Sequence, residues 1–192
     1  MTKQELIILT MALGDGCLSG NRLQIVHKAL HEEYLDWKIF LLNEVGITNI
    51  SKTKFINNNF PAFKLYTKRT NDIGKLKKML YQPNKSYKCI VNNLSDLILS
   101  ILYMDDGSIS STDKKSVLTI STCTSKEENQ MLIDAIKTNF NVSFGQRKMG
   151  KYYSLICGTK EARKFMEIVN NYVSKVSCMH YKLKVKNQSF VI

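Results

Sequence analysis

Two stretches of the chain are apolar on every side. Residues 5–18 read ELIILTMALGDGCL and residues 96–109 read DLILSILYMDDGSI. They align at a constant offset of 91, pairing Glu5 with Asp96, Leu6 with Leu97, Ile7 with Ile98, Asp15 with Asp106, Gly16 with Gly107 and Leu18 with Ile109. Such a segment reads as a helix buried all round, and the glycine after it as the left-handed residue that ends a helix. The pattern after each copy also matches. Alternation through Arg22-Leu23-Gln24-Ile25 and through Val117 to Ser121 predicts strands. Helices are expected over Glu32–Val45 and Lys126–Phe140, and their acidic starts suit a helix N-terminus.

A hairpin signal follows in each half. In the first, Ile50–Ile56 and Phe63–Thr67 flank Asn57-Asn58-Asn59-Phe60-Pro61; in the second, Val142–Lys148 and Tyr152–Cys157 flank Met149-Gly150. A last helix closes each half, at about 71–81 and about 160–175. The pattern predicts an α+β protein of two tandem α-β-β-α-β-β-α units related by a pseudo-twofold, spanning residues 1–93 and 94–192, with a basic polar linker from about residue 82.

Composition narrows the partners. In 192 residues, 28 Lys+Arg against 16 Asp+Glu give a formal net charge of +12, a surplus that repels itself until a polyanion neutralises it. Nucleic acid is the leading partner; an anionic membrane surface or a ribosome comes second. No apolar run approaches the roughly 20 residues of a membrane span. Five cysteines without a C-x-x-C pair argue against a disulfide framework and a zinc ribbon, and suit reduced thiols. Lys3 with Leu6 to Leu13 imitates a signal peptide. Glu5 interrupts the basic lead-in, however, and a near-copy recurs in mid-chain, so an intracellular protein is expected, in an organelle, a bacterium or a phage-infected cytoplasm. His27-Lys28-Ala29-Leu30-His31 carries lysine where a zinc protease needs glutamate.

The duplicated aspartate carries the chemistry. If the two apolar helices pack along the pseudo-twofold seam, Asp15 and Asp106 meet at their C-terminal ends. There each faces a helix dipole's negative end and a second carboxylate. Both stay ionised only with a neutralising cation. Hard divalent ions suit such oxygens, and a pair of metals between carboxylates is a clamp for in-line phosphodiester displacement. One isolated D-D-G reads as a turn; recurrence behind a matched apolar run changes that.

LTMALGDG and ILYMDDG resemble the paired signature of the LAGLIDADG homing endonucleases, in the single-chain, two-motif branch. Lys88-Cys89-Ile90-Val91-Asn92-Asn93 and Met179-His180-Tyr181-Lys182-Leu183 are similar to the family segments that carry an active-site lysine; Lys88 lies 73 residues after Asp15 and Lys182 lies 76 after Asp106. The resemblance implies that Asp15 and Asp106 bind Mg²⁺ or Mn²⁺, with the carbonyls of Gly14 and Asp105 at or near the same ions. It also implies that Lys88 and Lys182 sit near the scissile phosphates, stabilising charge or holding the attacking water. The chain departs from the family where helices usually pack through small residues: it has Leu9, Thr10, Ser100 and Ile101, with bulky Tyr103 and Asp105 in the second copy. Unequal halves are therefore expected.

The implied architecture is two antiparallel sheets forming a DNA-binding saddle, with the motif helices at the central interface. A β-ribbon fits the major groove. Candidate contacts are Arg22, Gln24, Lys52, Lys54, Asn57, Asn59, Lys64, Tyr66 and Lys68 in the first half, and Ser110, Thr112, Lys114, Lys115, Thr119, Gln146, Lys148, Lys151 and Tyr153 in the second. The expected function is metal-dependent cleavage of both strands of a long asymmetric site by a monomer, promoting mobility of its intron or other element. An RNA-binding maturase acting on its own intron, and a non-catalytic DNA-binding regulator, are the alternatives.

Overall fold

The computed structural model describes residues 1–82, 84–112 and 115–183. The chain divides into two compact units, the first Met1–Ser86 and the second beginning at Tyr87. In the first, α1 (Lys3–Leu13) starts at Thr2, whose hydroxyl accepts from the Glu5 amide while the Glu5 carboxylate accepts from the Thr2 N–H at 2.8 Å. That reciprocal pair satisfies two orphan donors of the first turn. Helix α1 is buried continuously from Ile7 to Leu13. It is followed by β1 (Gly16–Ser19), β2 (Arg22–Lys28), a 3₁₀ turn at Ala29–His31, α2 (Glu32–Glu44), β3 (Ile50–Asn57), β4 (Phe60–Thr67) and α3 (Asn71–Leu80). The sheet is antiparallel throughout, in the order β1-β2-β4-β3.

The second unit repeats the scheme. Helix α4 (Asp96–Asp106), β5 (Gly107–Ser111), β6 (Ser116–Thr124), α5 (Lys126–Phe140), β7 (Gly145–Met149), β8 (Tyr152–Gly158) and α6 (Thr159–Val173) build a sheet ordered β5-β6-β8-β7. The tandem α-β-β-α-β-β-α organisation therefore stands, and α5 has the bounds the pattern predicts. Among the described residues no helix is long and apolar enough to cross a membrane.

Three details differ from expectation. The boundary falls at Ser86/Tyr87 rather than after Asn93. Two 3₁₀ turns, Tyr87–Cys89 and Val91–Asn93, pack on α5. Tyr87, Ile90 and Val91 are buried there, and the Tyr87 amide donates to the Glu128 carboxylate at 2.5 Å. The first hairpin turn is shorter than expected: Asn58 and Asn59 alone form it, both at positive φ, while Asn57 pairs with Phe60. Asparagine tolerates this left-handed backbone, which matches the twist of a two-residue hairpin. Pro61 then lies in β4 where only β3 flanks it, since the β2 ladder begins at Ala62.

Gly16 and Gly107 are not left-handed terminators. Gly107 has φ −82° and ψ 150°, ordinary extended backbone, and Gly16 opens β1. Close approach is what requires glycine: a Cβ at Gly16 would stand 2.5 Å from the Met11 carbonyl oxygen, and one at Gly107 would overlap the Tyr103 ring and carbonyl. A Cβ at Gly145 would meet only the Ile156 carbonyl oxygen, at 3.9 Å. Gly107→Ala should therefore lower unfolding free energy by about 1–3 kcal/mol, and Gly145→Ala should stay within about 0.5 kcal/mol of the parent, read from urea midpoints.

Candidate active site

A helix C-terminus leaves carbonyls without intrahelical partners and carries partial negative charge. In each unit a lysine ammonium meets them. Lys85 donates to the carbonyls of Leu13 at 3.2 Å, Gly14 at 3.0 Å and Gly16 at 2.8 Å. Lys182 donates to those of Tyr103 at 3.2 Å, Met104 at 2.5 Å and Gly107 at 2.9 Å. An ammonium has three donors, and each lysine directs all three at the helix end. Lys182 is 6% exposed, and its own carbonyl accepts from the Tyr103 hydroxyl at 2.6 Å. Under the offset of 91, Leu13 matches Met104 and Gly16 matches Gly107. The two clamps thus share two equivalent carbonyls and differ in the third, Gly14 in one and Tyr103, two residues from the Gly14 equivalent, in the other.

Lys85, not Lys88, makes this contact in the first unit. Lys88 is exposed on the 3₁₀ turn that opens the second unit. After α3 the chain reverses tightly: Tyr81 bridges Lys85, the Gln82 amide donates to the Asn84 carbonyl, and the Ser86 amide donates to that of Leu80. The reversal turns Lys85 back to α1. The Tyr81 hydroxyl, accepting from the Leu18 amide at 3.3 Å, ties the same segment to β1.

The aspartates flank these clamps in sequence. Asp15 sits between Gly14 and Gly16 with an exposed carboxylate, and its Oδ2 lies 3.7 Å from Nδ1 of His27. Asp105 and Asp106 close α4 and are half-buried. Burial above all, then the negative charge of Asp106 and, more weakly, of Cys123, Glu128 and Asp105, holds the Tyr87 phenol well above its ordinary pKa. It stays protonated. The expected donor set in each unit is carboxylate and main-chain carbonyl oxygen, chemistry that fits Mg²⁺ or Mn²⁺. The Gly14 carbonyl already accepts from Lys85, so a cation there shares that oxygen with an ammonium.

Pairing register sorts the other candidates. In the first sheet Leu23, Ile25 and His27 of β2 share the helix-covered face with Phe63 and Leu65 of β4. Arg22, Gln24, Asn57, Lys64 and Tyr66 lie on the opposite face. Asn59 is in the hairpin turn, and Lys68 follows β4. On that face the Arg22 guanidinium lies 4.1 Å from the Tyr66 ring centroid, and the Lys64 ammonium 5.0 Å from it and 5.7 Å from that of Phe55. Lys52 and Lys54 pair with Leu65 and Phe63 and therefore point to the helix side. The Lys52 ammonium is 2.6 Å from carboxylates of both Glu32 and Asp36 on α2. Burial lowers its pKa, but the hydrogen bonds and charges of the two acids outweigh that and the net shift is upward. Inward charges of this kind protect an edge strand such as β3 from pairing with another chain.

In the second sheet Ser110 and Thr119 lie opposite the buried Leu118, Ile120, Leu155 and Cys157. Gln146 pairs with Leu155 and donates to the Gln130 side chain of α5 at 3.1 Å. Lys148 and Tyr153 pair with each other on that same helix-side face. Arg147 pairs with Ser154 and lies on the opposite face. Thr112 and Lys115 flank the β5–β6 turn, Lys151 is in the β7–β8 turn, and Lys114 falls outside the described residues.

The model of the LAGLIDADG DNA endonuclease family matches residues 6–165. The chain belongs to that family. Among solved structures, this LAGLIDADG protein resembles the homing endonuclease I-WcaI bound to its DNA recognition sequence, with a TM-score of 0.77 and 22% identity over 95% of this chain and 86% of that one. It also resembles a variant of I-DmoI in complex with target DNA and manganese, with a TM-score of 0.57 and 16% identity over 88% and 94%. The N-terminal LAGLIDADG domain of DUF199/WhiA aligns with a TM-score of 0.56 and 14% identity over 88% and 84%. A sequence relative is the protein RecA of Mycobacterium gastri, 29% identical over 200 residues; the match takes in 92% of this chain and only about half, 46%, of that protein.

Removing the ammonium leaves carbonyls at a helix end unanswered. Lys85→Met should cost about 2 kcal/mol of stability, and Lys182→Met, at the more buried clamp, at least as much. Lys88→Met should stay within about 0.5 kcal/mol. Urea unfolding of the three variants checks the assignment.

Proposed function

We propose that this protein is a site-specific, divalent-metal-dependent endonuclease that cuts both strands of duplex DNA, one strand with each half. The observation that carries the reading is the duplicated constellation: a carboxylate beside the end of an apolar helix whose carbonyls are gripped by a lysine, Asp15 with Lys85 and Asp106 with Lys182. The family of the chain, and the DNA in the I-WcaI and I-DmoI structures, support a DNA substrate.

Asp15 with the Gly14 carbonyl in the first unit, and Asp106 with the Asp105 carbonyl in the second, would hold divalent metal, which would supply a bound water of lowered pKa and positive charge against the phosphate oxygens. Each lysine adds a fixed positive charge beside the carboxylate. Its donors are already oriented by carbonyls, so it stabilises developing negative charge with little reorganisation. On the first sheet Arg22, Gln24, Lys64 and Tyr66 offer long polar side chains on one face, suited to base edges and phosphates in the major groove. A single chain with two different halves needs no palindrome. Its role in the cell is to open the site at which its intron or other mobile element inserts.

A randomised duplex library incubated with protein and Mg²⁺, followed by sequencing of cut ends, should yield one long asymmetric site. On that site Asp106→Asn should retain binding while double-strand cleavage falls by about 10²-fold or more. Cleavage by Asp106→Asn at the parent rate would remove the metal assignment. A binding-only regulator would leave the library intact, and a maturase would stimulate intron splicing instead.

A further inference from the structure

One buried charged group takes no part in the scheme above. Lys38, on α2, is 0% exposed. Its Nζ lies 3.1 Å from Nε2 of His27 and 4.4 Å from the ring centroid of Tyr34. His27, on β2, is 6% exposed, its ring centroid is 5.1 Å from that of Tyr34, and its Nδ1 is the atom 3.7 Å from Oδ2 of Asp15. Lysine, imidazole and carboxylate thus connect the interior of the first unit to the carboxylate proposed to bind metal.

The polarity of this chain follows from donor counting. An ammonium has three donors and no acceptor. With Lys38 as an ammonium, the ring nitrogen it meets must present a lone pair, which puts the ring proton on Nδ1, the atom facing Asp15. A neutral imidazole fixed in one tautomer by a group behind it is the arrangement that orients metal-site ligands elsewhere.

The second unit does not repeat it. Gly16 pairs with Ile25 and Gly107 with Ile120, so Thr122 occupies the strand position of His27. Aligning Glu32-Glu33 with Glu127-Glu128 puts Asn129 in the position of Tyr34 and Ile133 in that of Lys38. There the Thr122 hydroxyl meets the Asn129 side-chain oxygen at 2.6 Å, an uncharged pair.

We propose that Lys38 and His27 are positioning residues for Asp15, present in the first half alone, and that the two strand cuts consequently depend on different residues. The proposal rests on the endonuclease reading.

Two measurements test it. On a supercoiled plasmid carrying the site selected from the randomised library, with Mg²⁺, Lys38→Met and His27→Leu should slow one strand about 10- to 100-fold and accumulate nicked circles. The other strand should keep its rate, and His27→Asn, which restores a donor near the Nδ1 position, should recover part of the loss. Equal slowing of both strands, or none, in variants that still bind the site overturns the proposal. In metal-free protein, ¹⁵N–¹H spectra of the imidazole should report the Nδ1–H tautomer in the parent and a changed tautomer ratio in Lys38→Met. An Nε2–H tautomer in the parent overturns the relay whatever the nuclease does. If the parent cuts no member of the library, the endonuclease reading fails while the spectra still decide the His27 geometry.

Discussion

The end of a buried helix is a poor place for a carboxylate. The last carbonyls have no intrahelical partners and the dipole is negative there, at the end of segments buried from Ile7 to Leu13 and from Leu97 to Met104. A lysine on the carbonyls resolves this in each unit. It satisfies three acceptors and opposes the dipole's local charge, so the contacts that finish the fold also set up the chemistry we propose. Glycine at positions 16 and 107 belongs to this arrangement, since any Cβ would push the strand off the helix end.

Much of this was legible in the pattern of apolar positions. The duplicated apolar run, its Asp-Gly end and the order of elements follow from burial, and burial dictates periodicity. Lys182 was found because its segment resembles one the family uses. Lys85 was missed because its position depends on a reversal held by main-chain bonds around Tyr81 to Ser86, which leaves no mark in hydrophobic spacing. Hydrophobic spacing alone does not distinguish Lys85 from Lys88, three residues on.

The sheet faces follow a similar logic. Alternation with buried neighbours in β2 and β4 is enough to put Arg22, Gln24, Lys64 and Tyr66 on the face away from the helices. It is not enough for Lys52, Lys54, Gln146 and Lys148, because β3 and β7 are edge strands with polar residues on both faces. Pairing register with β4 and β8, together with partners on α2 and α5 for Lys52 and Gln146, shows which way those side chains turn. The His27 and Lys38 pair was invisible for a related reason. His27 enters the sequence reading only with His31, in a spacing that does not fit a zinc protease, and the packing of α2 on β2 is what brings it to Lys38.

The most direct measurement is anomalous diffraction from crystals of the protein with Mn²⁺ and its selected DNA site. The account predicts manganese peaks within about 2.0–2.6 Å of the carboxylates of Asp15 and Asp106, with the ammonium groups of Lys85 and Lys182 still on their helix-end carbonyls. Manganese bound elsewhere with both carboxylates bare, or Lys88 in the position of Lys85, would contradict it.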